Sequence, residues 1–177
     1  SGPAGLTAAH HLSLKGYQVT IYESEPQHGG MLTCAIPSYR LPREVIMREI
    51  ASILDENITI KCNTSLGKDI SVDGLLADGF DAVLLAMGAH KSKPLMIENE
   101  DVPGVYPSIE FLKEFNMNGK YLAKGRVGVI GGGNSAIDAA RVALRQKDVD
   151  SVTIIYRRTR EEMPAFEEEI EASMQEG

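Results

Sequence analysis

Two hydrophobic periods take turns along this chain, and their alternation divides it into elements. Residues 18–22, 58–62, 125–130 and 151–156 are short runs rich in Val, Ile and Thr, which predicts strands. Residues 80–86 are almost continuously apolar and predict a strand buried on both faces. Between the strands the spacing changes to that of helices. One helix is expected over 4–15, closed by Gly16, and another starts at Pro42 with Val45, Ile46, Ile50, Ile53 and Leu54 on its core face. A third covers 108–115 and a fourth, alanine-rich, covers 136–145. Near the end, Met163, Phe166, Ile170 and Met174 form the apolar side of a glutamate-rich helix. Helices alternating with strands predict an α/β chain built on doubly wound parallel sheets.

Glycines punctuate this pattern at two equivalent places. Gly131-Gly132-Gly133-Asn134-Ser135-Ala136 follows a predicted strand and opens a predicted helix, with Ala136 in the place of the last glycine of a G-x-G-x-x-G fingerprint. Ser1-Gly2-Pro3-Ala4-Gly5-Leu6 is the same fingerprint without its first glycine and preceding strand. In such a motif one glycine makes the tight turn, the next lets the backbone approach a pyrophosphate, and the last packs helix on strand. The helix N-terminus then presents free N–H groups and a positive dipole end. Two copies predict two dinucleotide sites and redox chemistry between them. Because the chain opens in mid-motif, it reads as an excerpt of a longer protein, with domains over 1–96 and 125–177 and a linker with a lead-in helix over 97–124.

The residues that end the strands separate the two sites. Glu23 closes the first strand about 20 residues beyond the glycines, where a carboxylate can accept both hydroxyls of an adenosine ribose. The equivalent strand of the second domain ends on Arg157-Arg158, with Arg160 close behind. A 2′-phosphate repels a carboxylate and is matched by guanidinium forks, so the second site is expected to take NADP. Gly29-Gly30 is expected to let the chain pass close to a ligand.

Composition narrows the chemistry. The formal net charge is −7, but seven glutamates lie between 161 and 176, and without them acids and bases balance. Those glutamates are expected on a solvated helix face, so no overall acidic field follows, and nothing points to nucleic acid. The absence of a long apolar run excludes a membrane-spanning helix and suggests a soluble, cytoplasmic protein. The two cysteines, Cys34 and Cys62, form no C-x-x-C pair, which excludes a redox dithiol, an iron-sulfur site or a zinc site built from these residues. Cys62 is expected to act as a small core hydrophobe, and Cys34, beside the Gly29-Gly30 pair, to pack likewise, with contact to the cofactor as the alternative. His10, His11, His28 and His90 have no motif partners, and no acid, base or metal ligand is assigned.

Taken together, the motifs resemble the small (beta) subunit of NADPH-dependent glutamate synthase and its relatives, including the FAD/NADPH portion of dihydropyrimidine dehydrogenase and the NADPH-binding subunit of ferredoxin:NADP oxidoreductases. The resemblance rests on Gly29 to Leu32, Ile36 to Pro42, Ala86 to Ala89, Gly131 to Asp138 and Tyr156 to Pro164, and it spans the whole chain. It implies two Rossmann-like domains of glutathione-reductase type, the first for FAD and the second for NADP. FAD contacts then fall on Gly2, Pro3, Ala4, Gly5, Glu23, Gly30, Met31, Arg40 and the backbone around Leu66. NADP contacts fall on Gly132, Gly133, Asn134, Ser135, Arg157, Arg158 and Arg160. The implied activity moves a hydride from NADPH to FAD and then single electrons to iron-sulfur clusters of a partner domain or subunit, the glutamate synthase large subunit being one candidate. The alternative is a cofactor-free nucleotide-fold module that serves assembly. Ribose and phosphate ligands favour the first reading, because an assembly module has no use for them.

Overall fold

The computed structural model describes residues 1–177, which fold as two compact units. The first comprises Ser1–Cys34 and Ser38–Ala89, the second Ala35–Pro37 and His90–Gly177.

In the first unit, α1 (Pro3–Ser13) leads into β1 (Val19–Tyr22), and the chain crosses through the single turn α2 (Met31–Cys34) and α3 (Arg43–Ile53) to β2 (Ile58–Lys61). β1 and β2 are parallel, with Val19 opposite Ile58 and Ile21 opposite Ile60. Such a pairing needs a long crossover, which α3 supplies. Ile46 and Ile50 lie one turn apart on α3 and meet Leu6 and Ala9 of α1 and Ile21 and Ile58 of the strands. Each fully buried Leu or Ile of this cluster contributes roughly 1.5–3 kcal/mol. At the far end, the Ser13 hydroxyl donates to Asp55 at 2.6 Å and the Asn57 amide donates to Ser13 at 3.1 Å, tying the end of α1 to the turn before β2. The short α4 (Val72–Ala77) is capped by Ser71, whose Oγ accepts from the Gly74 N–H.

The strand expected over 80–86 does not form. Phe80 is held edge-on to Tyr22, with ring centroids 6.3 Å apart, but the residues after it join no ladder, and Leu84 and Leu85 are more than half exposed. β1 and β2 pair only with each other, so this stretch has no neighbour to share N–H and C=O groups with. An apolar run records a tendency to be buried; a strand also needs a partner.

The second unit holds α5 (Ser108–Asn118), β3 (Gly125–Ile130), α6 (Asn134–Leu144), β4 (Val149–Ile155) and α7 (Glu167–Glu176). α5 runs three residues past its expected end and stops at Gly119 in the left-handed conformation, which glycine adopts at low cost. β3 and β4 are parallel with α6 as their crossover. Ile137 and Val142 of α6 are fully buried. The buried Gln146 accepts the Ala123 N–H at 2.8 Å and fixes the approach to β3. Pro37 is buried, and the Asn116 amide donates to the Ala35 carbonyl at 3.0 Å, which fastens 35–37 to α5. No helix is long and apolar enough to cross a membrane.

α7 corrects two expectations. Ile170 is buried, but Phe166 and Met174 are exposed, and Ser173 takes the inner position instead. The glutamates are not all on a solvated face either. Arg141 of α6 pairs with Glu169 at 2.5 Å and with Glu176 at 2.6 Å, and Arg145 pairs with Glu176 at 2.7 Å. Hydrogen bonds from Arg145 and Arg141 hold the Glu176 carboxyl at about 2, well below its ordinary 4.5. A depressed carboxyl stabilises the fold above its unfolded value and loses that contribution as it protonates. Glu176→Gln is therefore expected to lower the stability of α7 by about 1 kcal/mol at neutral pH, with the difference from wild type fading between about pH 4.5 and pH 2. Thermal melts of both proteins across that range test this; a difference independent of pH would mean that the carboxylate charge is not responsible.

Candidate functional site

The glycine turn of the first unit sits where α1 begins. Gly2 is the N-cap, with extended backbone (φ −73°, ψ −179°) and no side chain capping the helix. Pro3 has no N–H to leave unpaired, and the first helical bond runs from the Leu6 N–H to the Gly2 carbonyl at 3.0 Å, which leaves the Ala4 and Gly5 N–H groups open. A Cβ placed on Gly2 would meet nothing nearer than the Gly30 Cα at 3.9 Å, and one on Gly5 would meet the Ala86 Cβ at 3.7 Å. Neither glycine is demanded by protein packing, and the fold leaves room for a ligand at the turn.

Gly29 and Gly30 are demanded by the protein itself. Gly30 has φ +56°, and a Cβ there would lie 2.7 Å from the Gly2 Cα; one on Gly29, at φ +118°, would overlap the buried Thr33 hydroxyl. The close approach expected from this pair is therefore an approach to the protein's own glycine turn. Met31 opens α2 beside it, half-buried, and the Cys34 thiol lies 3.8 Å from the Met31 sulfur. Cys34 is buried as expected, whereas Cys62 is only half-buried, with its thiol pushed up by burial and by the Glu23 charge. Sequence reasoning passed over Arg43, whose guanidinium donates to the Leu32 carbonyl at 2.7 Å and holds α2 against α3.

Glu23 directly follows β1 and is buried, with one carboxylate oxygen accepting the Ser1 hydroxyl and the other accepting the Glu25 N–H at 2.9 Å. Burial pulls its carboxyl upward, but the bonds from Ser1 and Glu25, together with the N-terminal ammonium of Ser1 at 3.2 Å, outweigh burial and keep it below the usual carboxylate range. The site thus carries an ionised acceptor at the strand end. The chain past β2 is pinned to the same place, because the Thr64 N–H donates to the Glu23 carbonyl at 2.8 Å. Leu66 follows two residues later; its side chain is 38% exposed and its backbone bridges to Ile70, so it is not a core residue. Arg40 is half-buried in the turn ahead of α3.

The second unit repeats the turn. Gly131 adopts φ +141°, and Gly133 is the N-cap of α6, extended and without a side-chain cap. A Cβ on Gly133 would find only the Pro164 ring at 4.0 Å, so here too the packing does not call for glycine. The Ala136 and Ile137 N–H groups both bond the Gly133 carbonyl, which leaves those of Asn134 and Ser135 open at the helix end. Gly132 is different: a Cβ there would strike the Tyr156 ring at 2.7 Å. The sequence shows Tyr156 as the start of the Tyr156 to Pro164 motif but gives no sign that its ring packs against the glycine turn. Arg157, Arg158 and Arg160 are all exposed, and Arg157 and Arg158 make no ion pair. The Asn134 carboxamide oxygen is already engaged, accepting the Phe166 N–H at 3.0 Å.

Comparison with known proteins supplies the family. The profile of the pyridine nucleotide-disulphide oxidoreductases matches residues 1–177. Among curated proteins, the chain is 46% identical over 182 residues to the NADPH-Fe(3+) oxidoreductase subunit beta of Geobacter sulfurreducens, covering all of the chain and 27% of that protein. It is 36% identical over 193 residues to the glutamate synthase [NADPH] small chain of Escherichia coli, again over its whole length and 39% of that protein. The chain thus spans roughly a quarter to two-fifths of these relatives. Among solved structures, FprA, a Mycobacterium tuberculosis oxidoreductase, superposes with a TM-score of 0.82 at 23% identity, over 99% of this chain and 46% of that one.

Proposed function

The chain belongs to the pyridine nucleotide-disulphide oxidoreductase family, and on that premise we propose that it supplies the FAD- and NADP-binding turns of an NADPH-dependent oxidoreductase. Its α/β dinucleotide-binding fold is that of the family. The observation that carries the proposal is shared by both units: Gly2 and Gly133 each stand at the head of an uncapped helix, with no protein atom that would forbid a side chain. The glycine that the packing does not need is the one a pyrophosphate needs.

In this reading the Ala4 and Gly5 N–H groups bind the FAD pyrophosphate, with Pro3 setting the turn, and Glu23 accepts its ribose hydroxyls. Gly30 and Met31 face the flavin half, while Arg40 and the backbone near Leu66 complete the site. In the second unit Gly132, Gly133, Asn134 and Ser135 form the NADP turn, and Arg157, Arg158 and Arg160 take the 2′-phosphate through charge-assisted bonds. When bound, FAD accepts a hydride from reduced nicotinamide and gives up its electrons one at a time. The residues of this chain bind and orient. Relatives named as a beta subunit and a small chain support assembly with a partner; in this reading the electrons pass on to an iron-sulfur domain or subunit, of which a glutamate synthase large subunit is one candidate.

The direct test is anaerobic addition of NADPH to the FAD-loaded protein, followed by flavin absorbance. Bleaching by NADPH well ahead of NADH is expected, and an unchanged flavin spectrum would overturn the proposal. Glu23→Ala is expected to lower the FAD retained after gel filtration while leaving NADPH affinity nearly unchanged, since a lost ribose hydrogen-bond pair costs a few kcal/mol at most. Full FAD occupancy in that variant would remove Glu23 from the site.

A further inference from the structure

The loop that carries the arginines leaves β4, turns, and comes back onto the glycine turn of its own unit. At its start, the Tyr156 ring lies under Gly132 and the Tyr156 hydroxyl donates to the Glu162 carbonyl at 3.1 Å. In its middle, a 3-10 turn (Arg160–Glu162) is closed by a capping box, in which the Glu162 carboxylate accepts the Thr159 N–H at 3.2 Å and the Thr159 hydroxyl at 3.3 Å. At its end, the Ala165 N–H donates to the Gly132 carbonyl at 3.1 Å and the Phe166 N–H donates to the Asn134 Oδ1 at 3.0 Å. Met163 and Ala165 pack against Ile137 of α6.

The arginines therefore lie between two fastenings to one glycine turn. Two consequences follow from elementary chemistry. A loop tied at both ends loses less freedom when it receives a ligand, so its guanidinium groups are presented at lower entropic cost. A glutamate engaged by Thr159 is also drawn away from Arg157 and Arg158, which stay free of ion pairs. Asn134 faces the loop with its only side-chain acceptor, and that acceptor is in use.

We propose that Asn134 and Glu162 are positioning residues for recognition of a 2′-phosphorylated adenosine: Asn134 latches the arginine loop to the pyrophosphate turn, and Glu162 holds the loop's inner turn closed. Neither has to touch the nucleotide. This rests on the assignment of Arg157 and Arg158 to the 2′-phosphate, and it changes the role of Asn134 from a direct contact to a latch.

Binding of 2′,5′-ADP and of 5′-AMP to the FAD-loaded protein, measured by calorimetry without turnover, separates the possibilities. The two probes share the 5′-phosphate and differ only in the 2′-phosphate. Asn134→Ala is expected to lower the 2′,5′-ADP to 5′-AMP affinity ratio about tenfold, with 5′-AMP affinity nearly unchanged. Asn134→Asp keeps an acceptor for the Phe166 N–H and is expected to restore the ratio, although its added charge weakens both probes. Glu162→Ala is expected to lower the ratio as well, and Glu162→Gln, which keeps an acceptor for Thr159, to preserve it; this second pair decides the matter if Asn134→Ala fails to fold. Equal loss of both probes in Asn134→Ala would make Asn134 a direct phosphate contact and overturn the latch. A wild-type protein that shows no preference for 2′,5′-ADP would instead refute the 2′-phosphate assignment on which the latch depends.

Discussion

Alanine at Gly30 is expected to be severely damaging to the first glycine turn. Its Cβ would lie 2.7 Å from the Gly2 Cα and 3.2 Å from the Gly2 nitrogen, and these are backbone atoms that no rotamer change can move aside. The backbone is also left-handed at φ +56°, which costs an L-residue roughly 1–2 kcal/mol. Adding overpacking of about 1–3 kcal/mol gives a loss of about 2–5 kcal/mol, a large share of a domain's stability. The same displacement pushes on the turn proposed to hold FAD, so flavin occupancy should fall with the melting temperature. Gly2→Ala is the instructive contrast. Gly2 has ordinary backbone and no protein atom nearer than 3.9 Å to its missing Cβ. It should melt within about 0.5 kcal/mol of wild type yet lose FAD. Thermal denaturation, with flavin absorbance per protein after gel filtration, reads both effects. A Gly30→Ala protein of native stability would disprove the close approach, and full flavin in Gly2→Ala would disprove the pyrophosphate contact.

The second large effect concerns nucleotide choice. Replacing Arg157 and Arg158 together with Ala is expected to reduce kcat/KM for NADPH by about 100-fold or more while changing that for NADH little, because each charge-assisted bond to phosphate contributes roughly 1.5–3 kcal/mol. Both side chains are exposed and free of ion pairs, so their removal breaks no ion pair within the protein. Steady-state kinetics with the two nucleotides measures this directly. An equal loss for NADPH and NADH would mean that the arginines do not read the 2′-phosphate.

Much of each unit was legible because it depends on neighbours in sequence. The spacing of Ile46 and Ile50 marks one face of a helix wherever that helix packs, and these residues are buried in α3. The strand ends at Glu23 and before Arg157 follow from where β-branched runs stop. Both glycine turns were visible as strings, since the conformations they need are local. The strand expected at 80–86 failed for the opposite reason: a ladder needs a second strand, and no periodicity says whether one is within reach. The inward side of α7 was misjudged because Phe166 is its N-cap, and because Arg141 and Arg145, on a helix about 30 residues earlier, reach across to Glu169 and Glu176.

The glycines mark the boundary between the two kinds of information. Local order along the chain was enough to show that each of two glycine turns opens a helix, and that a carboxylate ends one strand where arginines end the other. Why each glycine is a glycine depends on what folding brings opposite it. Gly30 yields to Gly2 across 28 residues, Gly132 yields to the Tyr156 ring, and Gly2 and Gly133 yield to no protein atom. Folding also placed the Asn134 oxygen on the Phe166 N–H. Backbone propensity acts over a few consecutive residues and is written in their order, whereas excluded volume and hydrogen-bond pairing act between atoms that folding alone brings together.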